Sequence, residues 1–227
     1  MLDAFTYKLV PDIEGRVFTD ELDPERDEQY EDFLKIFGKL NDIPLICVCG
    51  NHDVGDAPEV KLLEGYKKQF GDDHFAFYLD GVLFICLNSM YYFNSQFCEK
   101  QAEEQDNWLD EILLMEAKQF QHVLVFVHMP PFVGHIDEPN SFLNMDKYKR
   151  KILIQKLRFA GVKKIFCGHL HQNKIASYKE VECIITSAIG MQNGPAANSG
   201  FRAVKVGKHE IAHKYFTFND CPKKLEL

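Results

Sequence analysis

The stretch KKIFCGHLH, residues 163–171, is a short apolar run that ends in two histidines separated by one residue. Two other apolar runs end in the same manner: PLICVC (44–49) leads into Gly50-Asn51-His52-Asp53, and HVLVFV (122–127) leads into His128. In open α/β sheets, ligands gather at the carboxyl ends of the strands. The three runs therefore predict neighbouring strands that carry polar, ligand-binding side chains at one end of a sheet.

Helical and strand patterns alternate along the rest of the chain. Helices are predicted at 25–40, 60–70, 101–118 and 146–160, and further strands at 75–79 and 82–87. Asp80-Gly81, between the last two strands, is a hairpin signal. This alternation predicts an α/β fold with a largely parallel central sheet.

The last part of the chain has a different pattern. Four closely spaced strands are predicted from residue 175 to residue 218, and they favour a second, antiparallel or mixed sheet. Residues 1–24 and the small-residue segment 193–200 are predicted to be loops. The basic run KYKRK (147–151) is interpreted as a solvated helix face, with recruitment of an acidic partner as the alternative.

Length and composition limit the class of protein. A chain of 227 residues with 46% hydrophobic content fits a single domain, 1–227. The net charge of -8 argues against a nucleic-acid partner, which would need a basic face. No apolar window reaches the roughly 18 to 20 residues of a membrane span. The seven cysteines lie mostly in apolar runs, and no signal peptide pattern is visible, so we expect a cytoplasmic protein with free thiols.

Four side chains at the strand ends are candidate metal ligands: Asn51, His128, His169 and His171. Imidazole nitrogen and amide oxygen suit Mn²⁺, Zn²⁺ or Fe²⁺. In an irregular turn, two histidines two positions apart can reach two ions about 3.5 to 4 Å from each other, as in two-metal hydrolases. His52 could then stand over the metals as a general acid without binding them. The other histidines fit no such group and are interpreted as surface or packing residues.

The order of these motifs resembles that of the calcineurin-like metallophosphoesterases. The chain is similar, in particular, to the calcineurin-like phosphoesterase domain-containing proteins of animals, which share segments such as GDDHF (71–75), GVLF (81–84) followed by LNS (87–89), and SAIG (187–190). The resemblance covers essentially all of residues 30–218. It implies a sandwich of two sheets flanked by helices, and a metal-dependent protein serine/threonine phosphatase.

The resemblance also implies a role for each candidate residue. Asn51, His128 and His169 bind one divalent ion (Mn, Fe or Zn) and His171 binds a second. His52 protonates the leaving alcohol oxygen while a metal-bound hydroxide attacks phosphorus. Asp53, which follows His52, is interpreted separately as a catalytic residue that supports the ligands without binding an ion, with an ordinary turn cap as the alternative. The implied substrate is a phosphorylated protein or a small phosphomonoester.

The chain departs from the family pattern at its amino terminus. Family members begin with two strands that end in metal-binding aspartates, and neither strand is recognised here; Met1–Ala4 resembles the end of the second motif. We therefore expect an amino-terminally truncated domain that lacks its first two strands and binds one ion or none, because neutral ligands leave the charge of two cations uncompensated. Two alternatives stay open: a catalytically impaired pseudoenzyme that binds phosphorylated partners, and a structural interaction protein.

Overall fold

The computed structural model describes residues 24–40, 43–190 and 199–224. The loop predicted for residues 1–24 lies outside these residues except for Pro24, which begins the first helix. Most of the loop predicted at 193–200 lies outside them as well.

Helices and strands follow the predicted alternation closely. The helices are α1 Pro24–Phe37, α2 Asn51–Val54, α3 Val60–Phe70, α4 Met90–Phe93, α5 Glu99–Met115 and α6 Lys147–Phe159, with a 3₁₀ turn at Ala117–Gln119. The strands are β1 Phe75–Leu79, β2 Val82–Cys86, β3 His122–Phe126, β4 Lys164–Cys167, β5 Lys174–Tyr178, β6 Val181–Ile185, β7 Gly200–Val206 and β8 Ile211–Thr217.

The main sheet has six strands in the order β1-β2-β3-β4-β6-β5, and its centre is parallel. The strands at its two edges, β1 and β5, run antiparallel to their neighbours. The expectation that β5 and β6 belong to a second sheet is therefore wrong, and only β7 and β8 form a separate, antiparallel pair. β6 joins the main sheet because its apolar side chains are buried beside β4, as a central parallel strand requires.

The hairpin between β1 and β2 forms as predicted. Asp80 and Gly81 both have positive φ, 48° and 81°. Two consecutive positive φ values are the requirement of a type I′ turn, whose twist matches that of the paired strands. This turn fixes the register in which Leu79 lies opposite Val82.

The main sheet is covered on both faces, so the fold is a two-sheet sandwich flanked by helices, as expected. On one face, α5 and α6 bury Leu109, Leu113 and Leu157 against the sheet. On the other face, stacked phenylalanines of β2, β3 and β4 pack against side chains of the β7–β8 pair such as Val204.

Two local expectations differ from the structure. Residues 44–49 are neither helix nor strand, although Val48 and Cys49 are buried. A strand exists only where a neighbour completes its hydrogen-bond ladder, and β1–β8 do not pair with this segment. In α6, Arg150 is wholly buried and donates hydrogen bonds to the carbonyls of Ile136 and Met145. The basic run is therefore not a uniformly solvated face.

None of the helices in the part of the chain that the structure describes has the length and apolar character needed to cross a membrane.

Candidate metal centre

Three of the predicted ligands come together beside the carboxyl ends of β3 and β4. His128 follows β3 and His169 follows β4, and the parallel pairing continues past both strands because the Gly168 N–H donates to the His128 carbonyl at 2.9 Å. Asn51 begins α2, immediately after Gly50. The sheet thus brings together side chains that are far apart in the sequence.

The imidazole of His128 lies at the centre of this group. Its Nε2 is 2.9 Å from Asn51 Oδ1 and 3.2 Å from His169 Nδ1. The two rings meet edge to face, with centroids 5.1 Å apart. His128 is only 6% exposed, whereas Asn51 and His169 are half-buried. The group is therefore partly accessible, through Asn51 and His169.

These three side chains fit a single divalent ion. Ligand atoms held about 2.1 Å from one ion, at angles between the right angle and the tetrahedral angle, lie about 3.0 to 3.4 Å from each other. The 3.2 Å separation between His128 Nε2 and His169 Nδ1 lies in this range, and the 2.9 Å separation between His128 Nε2 and Asn51 Oδ1 lies just below it. All three donors are neutral when they bind. Within residues 24–40, 43–190 and 199–224, no three His, Cys, Asp or Glu side chains form a metal-binding group.

Gly50 makes the close approach of α2 to His128 possible. A Cβ at this position would lie 2.8 Å from the His128 ring, and real Cβ atoms do not come so near to a neighbour. The backbone of Gly50 is extended, with φ of -118°, so its positive-φ freedom is not required here. The glycine is needed for space.

α2 carries the two residues predicted to be catalytic. His52 is half-buried and follows Asn51 directly. Asp53 Oδ2 accepts a hydrogen bond from the Gly50 N–H at 2.7 Å and so caps the helix. This contact is the turn cap that was the alternative interpretation of Asp53. It also fixes the backbone that presents Asn51, and the catalytic roles of His52 and Asp53 stay predictions.

The turn after β4 holds both of its histidines in the left-handed region, with φ of 70° at His169 and 52° at His171. Non-glycine residues with positive φ are uncommon, and they concentrate at functional sites. His171 is half-buried and lies two residues after His169. The placement of His171 on a second ion stays a prediction.

No sequence signal pointed to the backbone contact on the other side of the His169 ring. Its Nε2 lies 2.7 Å from the carbonyl oxygen of Phe142, in the loop between β3 and α6. Every residue has a carbonyl group, so no sequence pattern could have identified Phe142 as a partner of His169.

A second polar cluster, around Asp73, was also missed. Burial alone would raise the pKa of the Asp73 carboxyl, but hydrogen bonds from His74, Asn88, Tyr91 and Lys67 outweigh that effect and hold the pKa well below its usual range. The shortest of these bonds, from the Tyr91 hydroxyl, is 2.6 Å long.

The buried cluster is connected to the two segments that precede Asn51 and follow β3. The sulfur of Cys49, one residue before Gly50, contacts the Asp73 carbonyl at 3.8 Å. Asn88 is followed by Ser89, whose Oγ accepts a hydrogen bond from the Met129 N–H at 2.9 Å. Met129 is the neighbour of His128, so the cluster is linked to both segments through Cys49 and Ser89. An aspartate and a histidine side by side before a strand, in Asp73-His74, were the available signal.

Comparison with known proteins identifies relatives over most of the chain. A family model described as calcineurin-like phosphoesterase matches residues 15–173. The serine/threonine-protein phosphatase CPPED1 of Mus musculus is 39% identical over 199 residues, which are 87% of this chain and 64% of the mouse protein. CPPED1 of Homo sapiens is 39% identical over 204 residues, 88% of this chain and 65% of the human protein. The chain thus spans somewhat less than two thirds of the length of these relatives.

Solved structures share the fold at low sequence identity. Purple acid phosphatase PPD1 from yellow lupin (Lupinus luteus) aligns with a TM-score of 0.59 and 10% identity, over 85% of this chain and 42% of that one. GAP50 of Plasmodium aligns with a TM-score of 0.57 and 16% identity, over 77% of this chain and 62% of that one. Identities this low show the fold alone.

Proposed function

Because this chain belongs to the calcineurin-like phosphoesterase family, we propose that it is a metal-dependent hydrolase of phosphoric monoesters. The observation that carries the proposal is the convergence of Asn51 Oδ1, His128 Nε2 and His169 Nδ1 at separations of 2.9 and 3.2 Å. Side chains of this kind at the carboxyl ends of strands form a typical hydrolytic metal site.

The proposed substrate is a protein phosphorylated on serine or threonine. The names of the relatives from Mus musculus and Homo sapiens support this choice. A small phosphomonoester is the other substrate class that the same centre could accept. The net charge of -8 does not favour nucleic acid as a partner. The seven free cysteines support a reducing compartment such as the cytoplasm.

Asn51, His128 and His169 would hold the first divalent ion, Mn²⁺, Fe²⁺ or Zn²⁺, and His171 would contribute to a second. A bound ion supplies Lewis acidity, which activates water as the nucleophile and offsets the charge that develops on the phosphoryl oxygens. His52, next to Asn51 on α2, would donate a proton to the leaving alcohol oxygen. Asp53 would keep α2 in place through its hydrogen bond to the Gly50 N–H.

A second candidate function is the binding of phosphorylated partners without turnover. The observation that favours it is the chemistry of Asn51, His128 and His169, which we call the convergent group. One amide and two imidazoles provide no negative charge. A neutral set leaves the charge of two cations to be balanced by other groups, and uncompensated buried charge is costly. A single ion held by these ligands could bind the phosphate group of a partner without supporting efficient hydrolysis.

The test is to measure the ions bound per chain together with phosphatase activity. Elemental analysis for Mn, Fe and Zn is made on the folded protein, and hydrolysis of phosphoserine peptides is followed after metal is added. We expect His128→Ala to lose both the bound ion and the activity. His209→Ala is the matched control, because His209 is exposed and distant in sequence from His128. This variant should keep both the bound ion and the activity. Bound metal with phosphopeptide affinity but no hydrolysis would favour the second candidate.

A further inference from the structure

The hydrogen bond between His169 and Phe142 fixes the tautomer of the imidazole. A carbonyl oxygen only accepts hydrogen bonds, so His169 Nε2, 2.7 Å from the Phe142 oxygen, must carry the hydrogen and donate it. In a neutral imidazole, the lone pair is then on Nδ1. Nδ1 is the atom that lies 3.2 Å from His128 Nε2, on the side of the convergent group.

Phe142 lies in a loop, residues 130–146, that one carboxylate holds in shape. Glu138 Oε1 accepts from the Val133 N–H at 2.8 Å, and its Oε2 accepts from the N–H groups of Gly134 at 2.8 Å and His135 at 3.0 Å. Glu138 Oε1 also accepts from Asn144 Nδ2 at 2.7 Å. The carboxylate therefore ties together the two sides of the loop, with Phe142 between them.

The 130–146 loop is also joined to α6 by hydrogen bonds. The buried guanidinium of Arg150 donates hydrogen bonds to the carbonyls of Ile136, Glu138 and Met145. Asp146 caps α6 by accepting from two of its first N–H groups. Because Glu138 joins the two sides of the loop and Arg150 joins the loop to α6, the Phe142 carbonyl has little freedom to move away from His169.

We propose that Glu138 is a positioning residue of the metal centre: it holds the 130–146 loop so that the Phe142 carbonyl selects the His169 tautomer whose Nδ1 can bind a metal ion. This inference rests on the proposed function for the role of His169 as a ligand. Partners that hold the remote nitrogen of a metal-binding histidine fix its orientation and tautomer, and losing them typically lowers metal affinity about 10- to 100-fold.

The side chain of Phe142 has no role in the proposed positioning of His169. The residue is 73% exposed, and the 2.7 Å contact with His169 is made by its main-chain oxygen. Phe142→Ala keeps the carbonyl and is therefore a control that separates the backbone contact from the ring. Glu111→Ala, at an exposed position of α5, is the charge-matched control for loss of the Glu138 carboxylate.

The first measurement is the tautomer of His169 in the metal-free protein, read from long-range ¹H–¹⁵N NMR spectra and assigned with His169→Gln. The native protein should show His169 with hydrogen on Nε2 alone. Glu138→Ala should show a mixture of tautomers, whereas Phe142→Ala and Glu111→Ala should match the native protein. A native Nδ1–H tautomer, or an unchanged spectrum in Glu138→Ala, would overturn the proposal.

The second measurement is Zn²⁺ affinity, determined by competition with a chromophoric chelator. Glu138→Ala should bind Zn²⁺ about 10- to 100-fold more weakly than the native protein and the two controls. Glu138→Gln keeps one acceptor oxygen, so its affinity should be intermediate, and it serves in place of Glu138→Ala if that variant does not fold. Equal affinity in Glu138→Gln and the native protein would count against the inference.

The two proposals can fail separately. The tautomer is measured without metal or substrate, so it decides the role of Glu138 even if the protein hydrolyses no phosphate ester. Conversely, a chain that fixes His169 through Glu138 but shows no hydrolysis with metal bound would refute only the proposed activity.

Discussion

The Cβ that Gly50 lacks would lie 2.8 Å from the imidazole of His128. Gly50→Ala should therefore push His128 away from Asn51 and lower Zn²⁺ affinity by about 10-fold or more, in the range seen when the support of a metal ligand is lost. Competition with a chromophoric chelator measures the effect. An alanine variant that binds Zn²⁺ as tightly as the native protein would show that the ring has room to move.

A second glycine provides the control for this substitution. Gly65 lies within α3, and a Cβ there would meet nothing within 4 Å. Gly65→Ala should leave Zn²⁺ affinity unchanged and should stabilise the protein by about 0.5 to 1 kcal/mol, because alanine favours the helix interior. Thermal unfolding of the two variants side by side separates a steric effect at the site from a general effect of adding a methyl group.

His52→Ala tests general-acid catalysis through the leaving group. We expect hydrolysis of a phosphoserine peptide to fall by about 10²- to 10⁴-fold, because the serine oxygen leaves poorly without a proton. Hydrolysis of p-nitrophenyl phosphate, whose leaving group needs no proton, should fall far less. The number of metal ions bound per chain should not change, since His52 is outside the convergent group. Equal losses on both substrates would contradict the assignment of His52 as the acid.

Asp73 should make the stability of the fold depend on acidic pH. Its pKa is lower in the folded state than in the unfolded chain, where it is about 3.9. The stability that the carboxylate contributes is then complete above the unfolded pKa and is lost as pH falls through the folded value. Thermal unfolding from pH 7 downward should show this loss in the native protein.

Asp73→Asn is the matched variant for this pH dependence. It removes the charge that Lys67 contacts at 2.9 Å and weakens the buried hydrogen bonds. The free energy of unfolding at pH 7 should therefore fall by about 3 kcal/mol. The difference between variant and native protein should shrink as the pH is lowered, because protonation removes the same charge. A difference that stays constant across the pH range would rule out this linkage.

The thiols should differ sharply in reactivity. Cys221 is exposed, whereas the other cysteines are buried or half-buried. Burial raises the pKa of the Cys47 and Cys98 thiols, each to about 11, so little reactive thiolate forms at neutral pH. One thiol should react quickly with Ellman's reagent, and Cys221→Ser should abolish that fast phase. A fast phase that survives the substitution would mean that a core cysteine is accessible.

Local sequence signals explain what could be predicted of the fold. The Asp80-Gly81 turn and the cap at Asp146 depend on a few adjacent residues, so the hairpin and α6 were located closely. The place of β6 in the main sheet depends on its pairing with β4, which no local pattern encodes. Residues 44–49 have the composition of a strand, but whether they form one depends on a partner elsewhere in the chain.

The convergence of three side chains could be predicted from the sequence, whereas the contacts that hold them could not. Asn51, His128 and His169 stand out because polar side chains follow apolar runs, and the structure brings these three together. The contacts that hold them are main-chain or long-range: the Phe142 carbonyl contacts His169, and the Asp73 carbonyl contacts Cys49. Arg150 looked like a surface charge because burial of a single member of a basic run cannot be read from composition.

The convergent group joins positions that are 77 and 41 residues apart in the chain. Such a group does not exist in an unfolded chain, so an ion bound there would bind the native state and not the denatured one. Metal at about 100 times its dissociation constant would then add about 2.7 kcal/mol to the free energy of unfolding. The resistance of this protein to unfolding would rise and fall with the metal supply of its surroundings.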